Sequence, residues 1–166
     1  MPDEHTSRSA NAGDVDAIMA LLVLPEVADA IPVFVHTPEH RAALRADVEE
    51  CCAQPTSWVT FGSAERSVAG FLIGKPRQIN SLTRRTLWGL ELRYAGVRAE
   101  CRGTGHFKKL LGAATALGEP MYAIVKDGNK SGMARLLKKA GFVAWDPLDK
   151  MDNETAWVWQ RPTRHA

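Results

Sequence analysis

The chain has 166 residues and a mass of 18.2 kDa, the size of one domain built around one hydrophobic core. Apolar residues make up 45% and charged residues 24%, which excludes a disordered tail, a collagen-like fibre and a low-complexity linker. The 21 Lys and Arg residues outnumber the 19 Asp and Glu residues by two, a balance that suits an anionic ligand without requiring nucleic acid.

The start of the sequence and its cysteines bear on the compartment. Residues 2–5 are acidic and polar, unlike a signal peptide, and no apolar run approaches the roughly 18–20 residues that cross a bilayer. Cys51, Cys52 and Cys101 are odd in number and two are adjacent, so no disulfide framework is expected. We expect a single domain over residues 1–166, cytoplasmic and without a membrane partner.

Helical periodicity predicts four helices. Asp14 is placed to cap the first, and Pro25 and Pro32 then bracket an interrupted stretch. Pro38 predicts the first turn of a second helix that ends near Cys52. The remaining two carry apolar residues at helical spacing: Phe107, Leu110, Leu111 and Ala114 in one, and Met133, Leu136, Leu137 and Ala140 in the other, which spans Ser131–Ala140 and is closed by Gly141.

Alternating and short apolar runs predict strands between and after these helices. The long strand Leu87–Val97 places Leu90, Leu92 and Tyr94 on one face, and Gly96 is where a one-residue bulge is expected. The other predicted strands are Trp58–Phe61, Ser67–Ile73, Met121–Val125, Phe142–Trp145 and Thr155–Gln160, the last two as a hairpin. The order of elements predicts a mixed α+β fold.

The most informative segment follows the long strand. There Arg102-Gly103-Thr104-Gly105 leads directly into a helix. A helix N-terminus offers unpaired amide N–H groups and a partial positive charge, and small residues let a phosphate approach the backbone. The basic side chains nearby are those of Arg98, Arg102, Lys108 and Lys109. The segment therefore predicts an anion site.

Two common nucleotide-binding patterns do not match this segment. A P-loop requires Gly-Lys-Ser/Thr at the helix start, which is absent. The dinucleotide fingerprint requires a third glycine where Lys108 stands.

Two motifs resemble those of the GNAT superfamily of N-acetyltransferases. Glu100-Cys101-Arg102-Gly103-Thr104-Gly105 is similar to the family's Gln/Arg-x-x-Gly-x-Gly/Ala motif, which binds the pyrophosphate of acetyl-CoA, although Glu100 replaces Gln or Arg. Lys130–Phe142, which ends in Gly-Phe, resembles the second motif, and Arg8-Ser9-Ala10 resembles the family's first strand. The likeness extends from about Ser7 to Trp159.

The resemblance implies a fold and an activity. The fold would be α+β, with α/β/α layers, a mostly antiparallel sheet of six to seven strands and about four helices. The activity would be transfer of an acetyl group from acetyl-CoA to a primary amine in a ternary complex, without a metal. The residues it implies for binding acetyl-CoA are Val97, Arg98, Arg102, Gly103, Thr104, Gly105, His106, Phe107, Lys108 and Asn129.

The resemblance also implies catalytic positions. Glu91 falls where one branch of the family keeps a glutamate, and a carboxylate there can take the proton that an amine loses before it attacks a thioester. The alternative is that Glu91 only pairs with Arg93 or another basic residue. Leu137 occupies the position where many members carry the tyrosine that protonates the CoA thiolate. Splayed strands, Tyr94–Val97 beside Met121–Val125, would hold the pantetheine arm.

Several alternatives stay open from the sequence. The protein could be a non-catalytic CoA-binding or partner-docking module, or an acetyltransferase toxin acting on aminoacyl-tRNA. A nucleic-acid-binding protein without cofactor is disfavoured because no long basic stripe is present. The acceptor side is expected from Leu24–Thr37 and a Lys75–Thr86 loop, neither of which has a recognisable motif, and a homodimer is an open alternative. The run His36–His40 matches a zinc-peptidase pattern, but Pro38 favours a helix that begins inside it.

Overall fold

A computed structural model describes residues 6–29, 35–62, 67–80, 86–145 and 153–162. These residues form seven β-strands and five α-helices. In chain order they are β1 (Ser7–Ser9), α1 (Val15–Leu22), α2 (Pro25–Ala28), α3 (Pro38–Cys52), β2 (Trp58–Phe61), β3 (Val68–Asn80), β4 (Thr86–Val97), α4 (His106–Thr115), β5 (Met121–Lys126), α5 (Met133–Lys139), β6 (Val143–Trp145) and β7 (Glu154–Trp159).

The seven strands form one sheet in the order β1-β2-β3-β4-β5-β7-β6. Only β4 and β5 are parallel, and every other neighbouring pair is antiparallel. The predicted mostly antiparallel sheet of six to seven strands is confirmed. The described residues hold five α-helices, one more than expected, because Pro25–Ala28 forms a short helix with Pro25 in its first turn. Pro32 lies outside the described residues.

The hairpin of β3 and β4 is longer than predicted. The strand expected to end at Ile73 continues to Asn80, and its pairing with β4 runs to Asn80 opposite Thr86. The expected Lys75–Thr86 loop is therefore wrong over residues 75–80 and at Thr86, the first residue of β4, while residues 81–85 lie outside the described part. Polar side chains interrupt the apolar alternation after Ile73, but main-chain hydrogen bonds to β4 keep this segment extended.

The bulge in β4 lies at Arg93 and not at Gly96. Tyr94 pairs with Ile73 and Leu92 pairs with Gly74, so Arg93 is the extra residue. Gly96 stays in register, opposite Phe71. The extra residue reverses the faces, so that Leu92 packs with α4 and α5 while Tyr94 packs with α1 and α3.

The helix ends show a second correction, at Asp14. Its carboxylate does not cap α1; it accepts hydrogen bonds from the Asn11 N–H at 2.9 Å and from the Arg8 guanidinium. Asn11 instead caps the 3₁₀ turn Ala12–Asp14 that precedes α1, by accepting a hydrogen bond from the Gly13 N–H at 2.8 Å. The predicted second helix is confirmed as α3, where the Thr37 hydroxyl caps the first turn.

The last helix and hairpin follow the prediction with shifted ends. The helix predicted from Ser131 begins at Met133 because Asn129 and Ser131 form a turn and Gly132 has a φ of 74°. Gly141, with a φ of 91°, follows the end of α5 as expected. β6 and β7 pair antiparallel as predicted, with residues 146–152 of their connection outside the described part.

Two hydrophobic clusters cover the two faces of the sheet. One face carries α1, α2 and α3, and its core includes Ile18, Leu22, Val48, Phe71 and Ile73. The other face carries α4 and α5, and its core includes Leu92, Leu110, Met121, Leu137 and Phe142. None of the helices in the described ranges is both long enough and apolar enough to span a membrane.

Candidate functional site

The site begins where β4 and β5 separate. These parallel strands pair only at Leu90 opposite Met121 and at Glu91 opposite Tyr122. The bulge at Arg93 follows at once, and a bulge bends its strand away from a neighbour. The separation opens a cavity of about 460 Å³ between the two strands.

Eight of the ten residues predicted to bind the cofactor line this cavity: Val97, Arg102, Gly103, Gly105, His106, Phe107, Lys108 and Asn129. They come from the end of β4, the turn after it, the first turn of α4 and the turn after β5. Apolar residues of the separated strands, among them Leu92, Ala95 and Ala123, line the rest. The cavity thus has an apolar slot between the strands and a polar end at α4.

The polar end is a glycine turn that opens into a helix. A single 3₁₀ turn, Ala99–Cys101, follows β4, and the Thr104 hydroxyl donates a 2.6 Å hydrogen bond to the Cys101 carbonyl. Gly103 and Gly105 have φ values of 77° and 94°, a region that favours glycine. A Cβ at either glycine would have nothing within 4 Å, so a ligand can approach the backbone closely there.

Two arginines predicted for the cofactor have main-chain partners. Arg98, which is outside the lining of the cavity, donates from Nε to the Val68 carbonyl at 2.9 Å and ties the end of β4 to β3. Arg102 donates to the carbonyl oxygens of Val97 and Glu26, both at 3.2 Å. Arg102 therefore connects the glycine turn to α2, whose residues Glu26 and Val27 also line the cavity.

Two further predicted residues have defined local roles. His106, the first residue of α4, is 2% exposed and lies at the inner side of the glycine turn. The Asn129 side chain accepts a 2.7 Å hydrogen bond from the Ser131 N–H, which shapes the turn between β5 and α5. Both residues contribute to the lining and to the shape of the turns that bound the cavity.

Glu91 lies in an ion-pair cluster next to the cavity and not in its lining. The Arg77 and Arg93 guanidinium groups both lie 3.2 Å from Glu91 Oε2, and the Glu91 side chain is 15% exposed. The arginine pairing considered from the sequence is thus present, with a second arginine added. Arg93 belongs both to the cluster and to the cavity lining.

The sequence reasoning did not identify Asp47 of α3, which joins the same cluster. Its Oδ2 accepts a 2.7 Å hydrogen bond from the Tyr94 hydroxyl and lies 2.9 Å from Arg93 Nε. Asp47 stands three residues after Leu44 and four before Cys51, both buried. The sequence did contain a signal for Asp47: a carboxylate within the apolar stripe of a predicted helix indicates a buried polar contact.

Burial and charge perturb the groups of this cluster. Burial raises the pKa of Tyr94 to about 12, and burial likewise raises the pKa of Tyr122 to about 12 with a contribution from the charge of Glu91. Burial opposes the charge of Arg93, but its hydrogen bond to Tyr94 and the nearby carboxylates hold its pKa above the usual arginine value. Arg93 thus keeps its charge.

Solved structures of other proteins superpose on nearly the whole of this chain. No protein-family model and no curated protein matches the sequence. A Drosophila melanogaster polyamine N-acetyltransferase superposes with a TM-score of 0.72 at 13% identity, covering 95% of this chain and 100% of that one. A Bacillus cereus acetyltransferase of the GNAT family gives 0.61 at 15% identity, over 95% and 98% of the two chains. The chain has the GNAT fold. Arabidopsis thaliana NAA60, solved in complex with acetyl-CoA, gives 0.63 at 16% identity, over 94% and 99%.

The fold expected from the two motifs, a mostly antiparallel sheet between helices, is confirmed. The structure adds that one pair within this sheet, β4 and β5, is parallel. Leu137 is 1% exposed on α5 and lines the cavity, so it presents no hydroxyl at the position where a tyrosine was considered.

Among the residues that the structure describes, no group of three or more His, Cys, Asp or Glu side chains is arranged to hold a metal ion. The zinc-peptidase pattern around His36 does not form a helix with two histidines on one face, because α3 begins at Pro38, after His36.

Proposed function

We propose that the protein is an N-acetyltransferase that moves the acetyl group of acetyl-CoA to a primary amine. One observation carries the proposal: the glycine turn and the start of α4 form the polar end of a cavity between two separating parallel strands. Neighbours of the same fold were solved in complex with acetyl-CoA or coenzyme A, which supports the same cosubstrate here.

The lining of the cavity fits the parts of acetyl-CoA. The start of α4 supplies backbone N–H groups and a partial positive charge for the pyrophosphate, and Arg102 and Lys108 add full positive charges. The apolar slot between β4 and β5 suits the pantetheine arm, whose amides can bond to main-chain groups that the strands no longer share. The acetyl end would then lie beside the bulge at Arg93.

The reaction proposed is direct transfer. The amine nitrogen attacks the thioester carbonyl carbon, the new C–N bond forms, and the C–S bond breaks. A backbone N–H at the bulge would stabilise the negative charge on the carbonyl oxygen. Glu91 is the proposed base that takes the proton from the amine, through water or after the amine displaces one of the two guanidinium groups. With Leu137 in the α5 position, the departing thiolate takes its proton from water.

Thermal denaturation with acetyl-CoA tests the cofactor step. A ligand that binds only the native state raises the apparent stability, by about 2.7 kcal/mol at a hundredfold excess over Kd. We expect the midpoint to rise with acetyl-CoA concentration, and to rise less with pantetheine, which lacks the diphosphate. An unchanged midpoint at millimolar acetyl-CoA would exclude the proposal.

A thiol-release assay tests the transfer step. The purified protein is incubated with acetyl-CoA and separate acceptors: a polyamine, an aminoglycoside, peptides with free amines and an aminoacyl-tRNA. We expect release of CoA thiol with at least one of them and acetylated acceptor in equal amount by mass spectrometry. An acceptor that stimulates thiol release without being acetylated would indicate hydrolysis instead.

A non-catalytic CoA-binding module is the second candidate. Two observations favour it: Leu137 offers no acid, and Glu91 is held by Arg77 and Arg93. Such a module predicts a stability increase with acetyl-CoA and no thiol release with any acceptor. The two assays together therefore separate the enzyme from the module.

A further inference from the structure

Asp47 of α3 contacts both residues that form the bulge of β4. Its Oδ2 accepts the Tyr94 hydroxyl at 2.7 Å and lies 2.9 Å from Arg93 Nε, while Oδ1 lies 3.5 Å from Lys75 Nζ. The Asp47 side chain is 18% exposed and that of Arg93 is 19% exposed. An ion pair shielded to this degree is weakened less by solvent than a surface pair.

The position of the bulge matters because it decides which side chains line the cavity. Leu92, before the bulge, and Ala95, after it, both line the slot, and β4 leaves β5 two residues before Arg93. A shift of the bulge by one residue would turn the side chains between the old and new positions to the other face. Main-chain hydrogen bonds alone specify the position of a bulge weakly. A side-chain contact at the bulge can therefore decide which residue is the extra one.

We propose that Asp47 is a positioning residue that holds the bulge of β4 at Arg93 and Tyr94 and keeps the Arg93 guanidinium shared between two carboxylates. The inference rests on the proposed function, because the bulge borders the proposed acetyl site and Glu91 is its proposed base. Asp47 contacts neither the cavity nor the reacting atoms, and it acts through Arg93 and Tyr94.

The charge of Asp47 also affects the surroundings of Glu91. Arg93 lies between them, 2.9 Å from Asp47 and 3.2 Å from Glu91. Without the Asp47 charge, Glu91 would be the one carboxylate of this pair left to hold the guanidinium. The charged and titratable groups around Glu91 are Lys75 and Arg77 from β3, Arg93 and Tyr94 from β4, Tyr122 from β5, and Asp47 and Glu50 from α3.

Three variants of the full chain test the proposal. Asp47→Asn removes the charge. Tyr94→Phe keeps the charge but removes the hydroxyl that donates to Asp47 at 2.7 Å and accepts from Arg93 at 3.3 Å. Glu50→Gln is the control, since Glu50 lies on the same helix and pairs with Lys75 at 2.8 Å. In ¹H–¹⁵N spectra, we expect the amides of residues 92–95 to shift in Asp47→Asn and Tyr94→Phe and to stay in place in Glu50→Gln.

Comparison of kcat with the KM for acetyl-CoA separates positioning from simple stability. In Asp47→Asn we expect kcat of thiol release to fall about ten- to a hundredfold, with a smaller change in the KM for acetyl-CoA because Asp47 is not part of the cavity lining. Tyr94→Phe should lower kcat in the same way. Unchanged amides at residues 92–95 in folded Asp47→Asn, or an unchanged kcat, would overturn the proposal. If the wild type binds no acetyl-CoA, the proposed function fails, and the amide shifts alone decide whether Asp47 holds the bulge.

Discussion

Gly96 of β4 lies directly against Val27 of α2. A Cβ added at Gly96 would stand 2.9 Å from Val27 Cγ1 and 2.8 Å from Phe71 Cε1. Val27 and Phe71 are both buried, at 2% and 0% exposure. Only a hydrogen atom fits between the strand and the helix, so α2 rests on the part of β4 that lines the cavity.

Gly96→Ala should therefore destabilise the protein. The added methyl must displace Val27 or Phe71, and overpacking of this kind costs about 1–3 kcal/mol. Urea denaturation measures the change. The control is Gly112→Ala in α4, where a Cβ meets nothing within 4 Å. Alanine there should raise the free energy of unfolding by about 0.5–1 kcal/mol, because glycine is the poorer helix former. Equal stability of Gly96→Ala and the wild type would contradict this packing.

Gly103→Glu should weaken the binding of acetyl-CoA strongly. The substitution places a carboxylate where the diphosphate is proposed to bind, and like charges repel strongly near a helix N-terminus. Gly118→Glu is a matched control, because Gly118 has a φ of 72° against 77° for Gly103 and lies beyond the end of α4. Isothermal titration should show at least about a tenfold weaker affinity for Gly103→Glu alone, which is about 1.4 kcal/mol. Equal affinities in the two variants would move the diphosphate away from this turn.

Glu91→Gln tests the proposed base. Loss of a general base costs about 10²–10⁴-fold in rate, whereas acetyl-CoA binding should be unchanged because Glu91 is not part of the cavity lining. The measurement is kcat of thiol release with the best acceptor, together with the Kd for acetyl-CoA. An unchanged kcat would assign Glu91 to the ion pairs with Arg77 and Arg93 alone.

The pairing of Arg8 with Asp14 predicts a loss of stability in acid. The hydrogen bonds from Arg8, at 2.7 and 2.8 Å, hold the pKa of Asp14 below its ordinary value of 3.8. A carboxyl with a lowered folded pKa stabilises fully above its unfolded pKa, and this contribution is lost as the pH falls through the folded pKa. Asp14→Asn should cost about 1–2 kcal/mol at pH 7, since Arg8 is half exposed, and the difference from wild type should shrink below about pH 4.

Asp16→Asn provides the comparison for that experiment. Asp16 lies in the first turn of α1, two residues after Asp14, and pairs with Arg45 at 2.8 Å, but its side chain is 88% exposed. Exposed pairs contribute about 0–1 kcal/mol, so denaturation of Asp16→Asn should follow the wild type at both pH values. A pH-independent loss in Asp14→Asn would mean that the Asp14 charge is not what stabilises the fold.

The three cysteines should differ in reactivity. Burial raises the pKa of both Cys51 and Cys52 to about 11, so at pH 8 both are protonated as well as shielded from reagent. Cys101 is partly exposed and lines the cavity. Iodoacetamide at pH 8 should alkylate Cys101 alone in the folded protein, and acetyl-CoA should slow this reaction. Peptide mapping identifies which cysteine is alkylated. Alkylation of Cys51 or Cys52 in the folded protein would contradict the packing of α3.

Local patterns in the chain predicted most of the elements and the glycine turn that opens into α4. Pro38 and the apolar spacing that follows predicted α3 from Pro38 to about Cys52, because a proline in the first turn, a helical period and a stop are all short-range signals. The glycine turn before His106 could also be predicted from the sequence, because a turn with positive φ values and the start of a helix both depend on adjacent residues. The resemblance to the GNAT motifs lay in these same stretches.

The bulge and the charge cluster around it were decided only by the assembled sheet. Whether the extra residue is Arg93 or Gly96 depends on how β3 pairs with β4 and on what α2 and α3 place against them. Asp47 lies 47 residues before Tyr94 along the chain, so no local pattern could join them. Register, ion pairs and cavity shape arise from contacts between distant segments, and those contacts exist only once the helices pack on the sheet.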